Sequence, residues 1–170
     1  MLTTKIHTEF TPIQSEWEEL SLSSPYATPF QSLNWASNWL KHYPRRTKII
    51  TIHQGNDMVA LFPLVESIAP WRSLRPLGVG PSDYLGPLLR SDNLDVINTL
   101  HDCLQTFSNT SLIDLHQLPN DHPFAQCVVE PIEQAKCLIV DLPPTNDAYV
   151  AGLSKSLRYD VRRLRGKALT

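Results

Sequence analysis

This 170-residue chain lacks long apolar runs, a leader-like start and closely spaced cysteines. No run approaches the roughly 18 apolar residues that a membrane-crossing helix needs, so we predict no membrane span. The start, MLTTKIHTEF, has no basic patch followed by an apolar stretch, so we expect no secretory signal. Cys103, Cys127 and Cys137 are too few and too scattered for a disulfide framework, and we therefore expect a cytoplasmic protein.

Motifs of several enzyme classes are also missing. The six histidines form no HExxH, and we predict no metal site. There is no GxSxG elbow and no cysteine in a recognisable motif, so hydrolase chemistry has no positive support. Gly78-Val79-Gly80 is followed by Pro81 instead of a helix, and we interpret it as a loop rather than a phosphate site.

Charge is present but unevenly distributed. The composition, 42% apolar and 19% charged, is that of a globular domain. Of the net charge of −2, residues 154–170 contribute +5 through six basic residues and Asp160, which leaves −7 for the rest. A basic tail on an acidic body indicates that the tail faces an anion or an acidic surface. The acidic body argues against a broad nucleic-acid footprint, so we expect no nucleic-acid partner.

Apolar spacing and turn residues predict the order of the elements. They predict helices over 15–22, over 93–107 and between a cap at Ser32 and a stop at Pro44. They also predict a hairpin over 47–68 with its turn at Gln54-Gly55-Asn56-Asp57, strands over 71–77, 84–89, 112–115 and 137–142, and a last helix after 153. Pro63 cannot donate a ladder hydrogen bond, so we expect it at an edge or a bulge. Because long βαβ repetition is missing, the fold class is α/β (α+β), with a mixed, mostly antiparallel sheet flanked by helices.

The last helix has two stripes, and more than one interpretation of them stays open. Its apolar stripe is Leu157, Val161, Leu164 and Ala168, and its basic stripe is Lys155, Arg158, Arg162 and Arg165. The basic stripe is either a solvated surface face or an anion site, because guanidinium groups grip phosphate bidentately. Since the pattern continues to the end without a stop signal, we expect a truncated chain.

Three segments together resemble the front portion of the CelD-type, FemAB-like acyltransferases of the GNAT superfamily. They are PFQSLNWASNWLKHY (29–43), LRPLGVGPSDYLGPLL (74–89) and YVAGLSKSLRYDVRRLRGKAL (149–169). The positions that match the family pattern are Pro29, Phe30, Gln31, Ser32, Trp35, Ser82, Asp83, Tyr84, Leu153, Ser154, Lys155, Arg158, Arg162 and Arg163.

The resemblance implies a GNAT-like lobe over 1–153 and a basic linking helix over 154–170 that leads to a second GNAT-like lobe outside this chain. The full-length protein would transfer an acyl (acetyl) group from acetyl-CoA or another acyl-CoA to a small-molecule amine. This lobe would frame that acceptor. The implied substrate-binding residues are Gln31, Ser32, Trp35, Asp83 and Tyr84, and the implied anion-binding residues are Lys155, Arg158, Arg162 and Arg163.

The chain departs from the family pattern because it has no Arg/Gln-x-x-Gly-x-Gly/Ala pyrophosphate loop. We therefore expect the 170 residues to bind no acyl-CoA tightly and to be inactive alone. No residue is assigned as the catalytic base. With its apolar stripe uncovered, the chain is expected to form a homodimer. The alternative is a non-enzymatic binding module whose basic helix docks an acidic partner. A reading frame that continues past Thr170 favours the enzyme, and a stop there favours the module.

Overall fold

The computed structural model describes residues 1–67, 72–107, 112–128, 131–133, 136 and 140–168. The chain forms two compact units, Met1–Ile132 and Glu133–Thr170. Within the described part, no helix is both long enough and apolar enough to cross a membrane. The predicted boundary between residues 153 and 154 stays a prediction.

The first unit is one sheet with helices. Its strands are β1 Leu2–His7, β2 Thr47–Gln54, β3 Asp57–Ser67, β4 Ser73–Pro76, β5 Leu88–Leu89 and β6 Leu112–Ile113, and its helices are α1 Gln14–Ser23, α2 Leu33–His42 and α3 Leu94–Gln105. The sheet order is β1-β2-β3-β4-β6, and β5 pairs with β3. Every pairing is antiparallel except β4 with β6. The predicted mixed, mostly antiparallel sheet flanked by helices is confirmed.

Helices cover both faces of the sheet, because β2 and β3 are apolar on both sides. Ile50, Phe62 and Leu64 belong to the core cluster that includes α3. The alternate positions, among them Ile49 and Leu61, belong to the second cluster, which includes α1 and α2. This period of two within apolar strands is what a strand between two helical layers requires.

The predicted hairpin is present as β2 and β3, but the expectation for Pro63 was wrong. Pro63 lies in the interior strand β3, opposite Ile49 of β2, and the ladder irregularity lies at Ile52/His53 instead. The Pro63 carbonyl accepts the Leu77 N–H at 2.9 Å. The imide nitrogen of Pro63 therefore faces the same side as its carbonyl, in the gap between the end of β4 and the start of β5, where no ladder bond is lost.

Other strand predictions need correction. β1 was not predicted, because its residues LTTKIH are mostly exposed and show no apolar alternation. The strand predicted over 84–89 is reduced to Leu88–Leu89, and the one over 112–115 to Leu112–Ile113. Trp71 and residues 137–139 of two further predicted strands lie outside the described residues, and residues 140–142 form no strand.

The second unit contains α4 Asn146–Gly152 and α5 Lys155–Ala168. The Thr145 hydroxyl accepts the Ala148 N–H at 3.2 Å and caps α4. The Ser154 hydroxyl accepts the Leu157 N–H at 3.3 Å and begins α5. The predicted last helix is confirmed, and Ser154 of the Leu-Ser-Lys motif acts as its cap.

Candidate functional site

The first part of the candidate site is the segment that begins α2. Gln31 is buried, and its side chain accepts the Thr28 N–H at 2.9 Å and donates to the Gly86 carbonyl at 2.6 Å. The Ser32 hydroxyl accepts the Trp35 N–H at 3.2 Å and caps α2, as the sequence predicted. Both predicted substrate-binding side chains therefore already have intramolecular partners.

The second part is the loop between β4 and β5, residues 77–87. Ser82 is fully buried; its hydroxyl accepts the Trp35 Nε1–H at 3.0 Å and donates to the Gly78 carbonyl at 2.7 Å. Gly78 has φ +103°, and a Cβ placed there would lie 2.8 Å from the Ser82 Oγ. Only a glycine fits this close approach at such a φ. The loop is thereby joined to α2 through Trp35.

The third part is Gln117, which holds both ends of a short stretch of that loop. The Gln117 side-chain amide donates to the Ser82 carbonyl, and the Gln117 carbonyl accepts the Leu85 N–H at 2.9 Å. Asp83, which is exposed, and Tyr84, which is half-buried, lie between these two bonds. The structure thus brings Trp35 and Ser82 together and holds Asp83 and Tyr84 on the same loop.

His122 holds the far end of the loop. Its Nδ1 accepts the Phe124 N–H at 3.1 Å, which leaves Nε2 to donate to the Pro87 carbonyl at 3.0 Å. Burial is the main cause that lowers the pKa of His122, partly offset by the hydrogen bond to Pro87 and by Asp121 and Asp92. His122 is therefore neutral near pH 7 and serves as a fixed hydrogen-bond donor.

Tyr26 lies against His122, with the ring centroids 4.9 Å apart. Its hydroxyl donates to a carboxylate oxygen of Asp92. This hydrogen bond, followed by burial and the charges of Asp92 and Asp121, raises the pKa of Tyr26 to about 12. The phenol consequently stays protonated and attaches the segment before α2 to the segment before α3.

A cavity of about 10 Å³ lies beside Gln31, at the interface of these parts. It is lined by Trp17, Phe30, Gln31, Ala36, Phe62, Pro63, Pro76, Leu77, Leu85 and Gly86. That volume holds one water at most, so this is packed interior and not a substrate pocket.

Gln117, His122 and Tyr26 were not predicted as site residues. Their partners, Ser82, Pro87 and Asp92, lie 35 or more positions away in the chain. No local pattern marks such contacts. A glutamine at φ +63° is also unusual, because residues other than glycine seldom adopt this backbone conformation.

The predicted anion-binding residues on α5 differ in their contacts. Arg158 Nη1 donates to the carbonyls of Ala151 and Leu153, both at 2.9 Å, where α4 ends. Arg163 pairs with Asp160 at 3.1 Å. Lys155 and Arg162 are exposed. Arg158 thus caps the carbonyls of the preceding helix, while Lys155 and Arg162 are the side chains of the set that point to no partner within the described residues.

No family model and no curated protein matches this chain. Among solved structures, a ribosomal-protein-alanine N-acetyltransferase from Brucella melitensis is 12% identical, covers 83% of this chain and 99% of its own, and has a TM-score of 0.49. A GNAT family acetyltransferase from Staphylococcus aureus is 12% identical, with 81% and 98% covered and a TM-score of 0.48.

A third solved structure, glucosamine-6-phosphate N-acetyltransferase from Arabidopsis thaliana, is 14% identical, with 81% and 99% covered and a TM-score of 0.40. Solved structures at these sequence identities and TM-scores do not indicate the chemistry of this chain. The fold of this chain is defined by its own strand order and pairings.

The described residues do not fit the pyrophosphate of an acyl-CoA. Such a group is held where a glycine-rich turn opens onto a helix N-terminus. After Gly78 and Gly80 the next helix begins only at Leu94, and the Gly78 carbonyl turns inward to Ser82. Across the described ranges there is also no group of three or more His, Cys, Asp or Glu residues that could hold a metal ion.

Proposed function

We propose that this chain is the N-terminal, acceptor-framing lobe of a CelD-type, FemAB-like N-acyltransferase of the GNAT superfamily. The full-length enzyme transfers an acyl (acetyl) group from an acyl-CoA to a small-molecule amine in the cytoplasm. The supporting observation is that two of the three segments with family resemblance meet in the fold. The Trp35–Ser82 and Gln31–Gly86 hydrogen bonds join segment 29–43 to segment 74–89.

In this proposal the lobe orients the acceptor, and its predicted substrate-binding residues divide into two groups. Gln31, Ser32 and Trp35 are positioning residues, because their polar atoms are engaged inside the protein. In this proposal the exposed Asp83 and the half-buried Tyr84 contact the amine. Orienting an amine contributes to acyl transfer because the reaction needs the nitrogen held against the thioester carbonyl. Binding of the acyl-CoA belongs to the second lobe, since the residues described here do not fit it.

The test uses the full natural protein, acetyl-CoA and a panel of primary amines. We expect amine-dependent release of the CoA thiol and an acetylated amine in the mass spectrum. Trp35→Phe, which removes the Nε1–H donor to Ser82, should raise the KM for the amine while leaving the KM for acetyl-CoA unchanged. Trp39→Phe on the same helix is the control. No thiol release with any amine would contradict the proposal.

The isolated 170 residues give a second test. We expect isothermal titration to show no acetyl-CoA affinity of micromolar strength or tighter, because the described residues contain no fitting glycine turn. Micromolar binding would mean that this lobe carries the cofactor site itself. The same preparation tests the proposed homodimer by light scattering, where a monomer at all concentrations would exclude it.

A second candidate function is a binding module that docks an acidic partner through α5. The observation in its favour is the exposed surface of that helix: Leu157 is 52% and Leu164 58% exposed, next to the exposed Lys155 and Arg162. An apolar stripe flanked by cations is typical of a helix that binds an acidic groove. A purified full-length protein without acyltransferase activity that binds an acidic protein, and loses this binding in Arg162→Ala, would favour the module.

A further inference from the structure

Strand β1 forms one edge of the sheet and pairs with β2 along one of its two sides. Its six residues, LTTKIH, contain no proline and no glycine, and three of them are β-branched. The register of β1 against β2 runs without a break, so the strand carries no bulge. The backbone N–H and C=O groups on the outer side of such an edge can pair with a further strand. β1 is therefore a surface to which an extended segment of a second chain can add.

The two faces of β1 differ in polarity. Leu2, Thr4 and Ile6 lie on the face that α3 covers, because their partners in β2 include residues of the core cluster that contains α3. Leu2 packs against this cluster, whereas Ile6 stays 46% exposed. On the other face, Thr3 and Lys5 are exposed. An added strand thus needs an apolar residue opposite Ile6 and a neutral or acidic environment opposite Lys5.

A second copy of β1 meets both needs in one register. A twofold axis that makes β1 pair antiparallel with itself stands perpendicular to the sheet, so one residue lies opposite its own copy. Centred on Lys5, the pair places two lysines opposite each other, which is destabilising. Centred on Thr3, it leaves Ile6 without an opposite residue. Centred on Thr4, it places Leu2 opposite Ile6 twice and Lys5 opposite Thr3, so that apolar residues meet and like charges are separated.

The charge of α1 favours the register centred on Thr4. Glu16 of α1 has a side chain that is 41% exposed, and its Oε1 lies 3.6 Å from His53 Nε2. Within the described ranges, no lysine or arginine pairs with Glu16. His53 lies opposite Thr3 in the β1–β2 ladder. Lys5 of the second copy would lie two strand spacings of about 4.8 Å from His53 on the same face, with its long side chain within reach of Glu16.

We propose that β1 is the interface of a homodimer in which the β1 strands of two copies pair antiparallel, centred on Thr4, and join the two sheets. A lysine on an edge strand commonly protects it from pairing. Here Lys5 serves as a contact, because it meets Thr3 and Glu16 of the other copy and not a second lysine. Since two six-residue strands bury less surface than a standard interface, the dimer is weak and depends on concentration. The interface uses neither the acyl-transfer residues nor the apolar stripe of α5.

Sedimentation velocity of the chain over a series of concentrations tests the interface. We expect a monomer–dimer equilibrium whose dissociation constant rises at least tenfold in Thr4→Lys, which places like charges opposite each other at the axis. Thr4→Val, of the same shape without charge, should not raise it. Leu157→Ser combined with Leu164→Ser on α5 should leave it unchanged. A chain that stays monomeric at all concentrations, an unchanged constant in Thr4→Lys, or loss of the dimer in the α5 variant would overturn the inference.

An exchange of two charges tests the register and does not depend on Thr4. Lys5→Glu alone and Glu16→Lys alone should each raise the dissociation constant at least tenfold, because like charges then meet at both contacts of every dimer. An equimolar mixture of the two variants should regain the affinity of the parent, because opposite charges meet at both contacts of the mixed dimer. Circular dichroism confirms that each variant is folded. A mixture that associates no better than its components would overturn the inference.

Discussion

Replacing Gly78 by alanine tests the junction between α2 and the 77–87 loop, and Gly80 provides a matched control. Both glycines have strongly positive φ angles, +103° and +109°. An alanine at either position therefore pays a similar backbone strain of about 1–3 kcal/mol. Only at Gly78 does the new Cβ meet other atoms: Ser82 Oγ at 2.8 Å and Trp35 Nε1 at 3.2 Å, against nothing within 4 Å at Gly80.

The excess cost at Gly78 follows from that contact. Overpacking of a buried site costs about 1–3 kcal/mol, and loss of the Trp35–Ser82 hydrogen bond adds about 1 kcal/mol. Gly78→Ala should therefore lower the free energy of unfolding by about 2–4 kcal/mol more than Gly80→Ala. Urea denaturation followed by tryptophan fluorescence measures both values.

The same two glycine substitutions in the Ser82→Ala variant give a second comparison. In Ser82→Ala the nearest atom is gone, so the cost of Gly78→Ala should fall toward the cost of Gly80→Ala. Equal destabilisation by the two glycine variants in the parent protein would refute the reasoning, as would an excess that persists unchanged in Ser82→Ala.

Three further predictions concern the other contacts. Burial lowers the pKa of His122 below 6.5, so the unfolded chain takes up its proton first. The contribution of neutral His122 to the free energy of unfolding is therefore complete above about pH 6.5. It is lost as the pH falls toward the lowered pKa, by up to about 1.4 kcal/mol per pH unit, and His122→Asn should flatten this part of the curve of stability against pH. Absorbance titration should show one tyrosine with a pKa of about 12, and Asp92→Asn should lower that pKa because the hydrogen bond to Tyr26 is its main cause. Arg158→Ala should speed amide exchange at the end of α4, while Arg162→Ala should not, because only Arg158 binds the carbonyls there.

The elements that could be predicted from the sequence are those whose patterns are local. Trp17 and Leu20 lie three apart on α1 and are both fully buried. The turn residues at 54–57 mark the hairpin, and Asn93 caps α3. β1 could not be predicted, because an edge strand with one partner is mostly exposed and its residues carry no apolar alternation.

The candidate site was predictable only in part. The family resemblance grouped Gln31, Trp35 and Asp83 as substrate-binding residues. In the fold, hydrogen bonds from Gln31 and Trp35 join the two segments that contain these three residues. What these residues contact could not be predicted, because most of the contacts join backbone and side-chain atoms distant in the chain. Gln117 is the clearest case, since its role depends on a left-handed backbone that no local residue pattern marks.

The central claim is that this lobe presents an amine for acyl transfer. The measurement that tests it most directly is thiol release from acetyl-CoA by the full natural protein, with and without primary amines, compared between the parent and Asp83→Asn. The account predicts amine-dependent release and a KM for the amine that rises at least tenfold in the variant, with the KM for acetyl-CoA unchanged. Thiol release that is absent with every amine would contradict it.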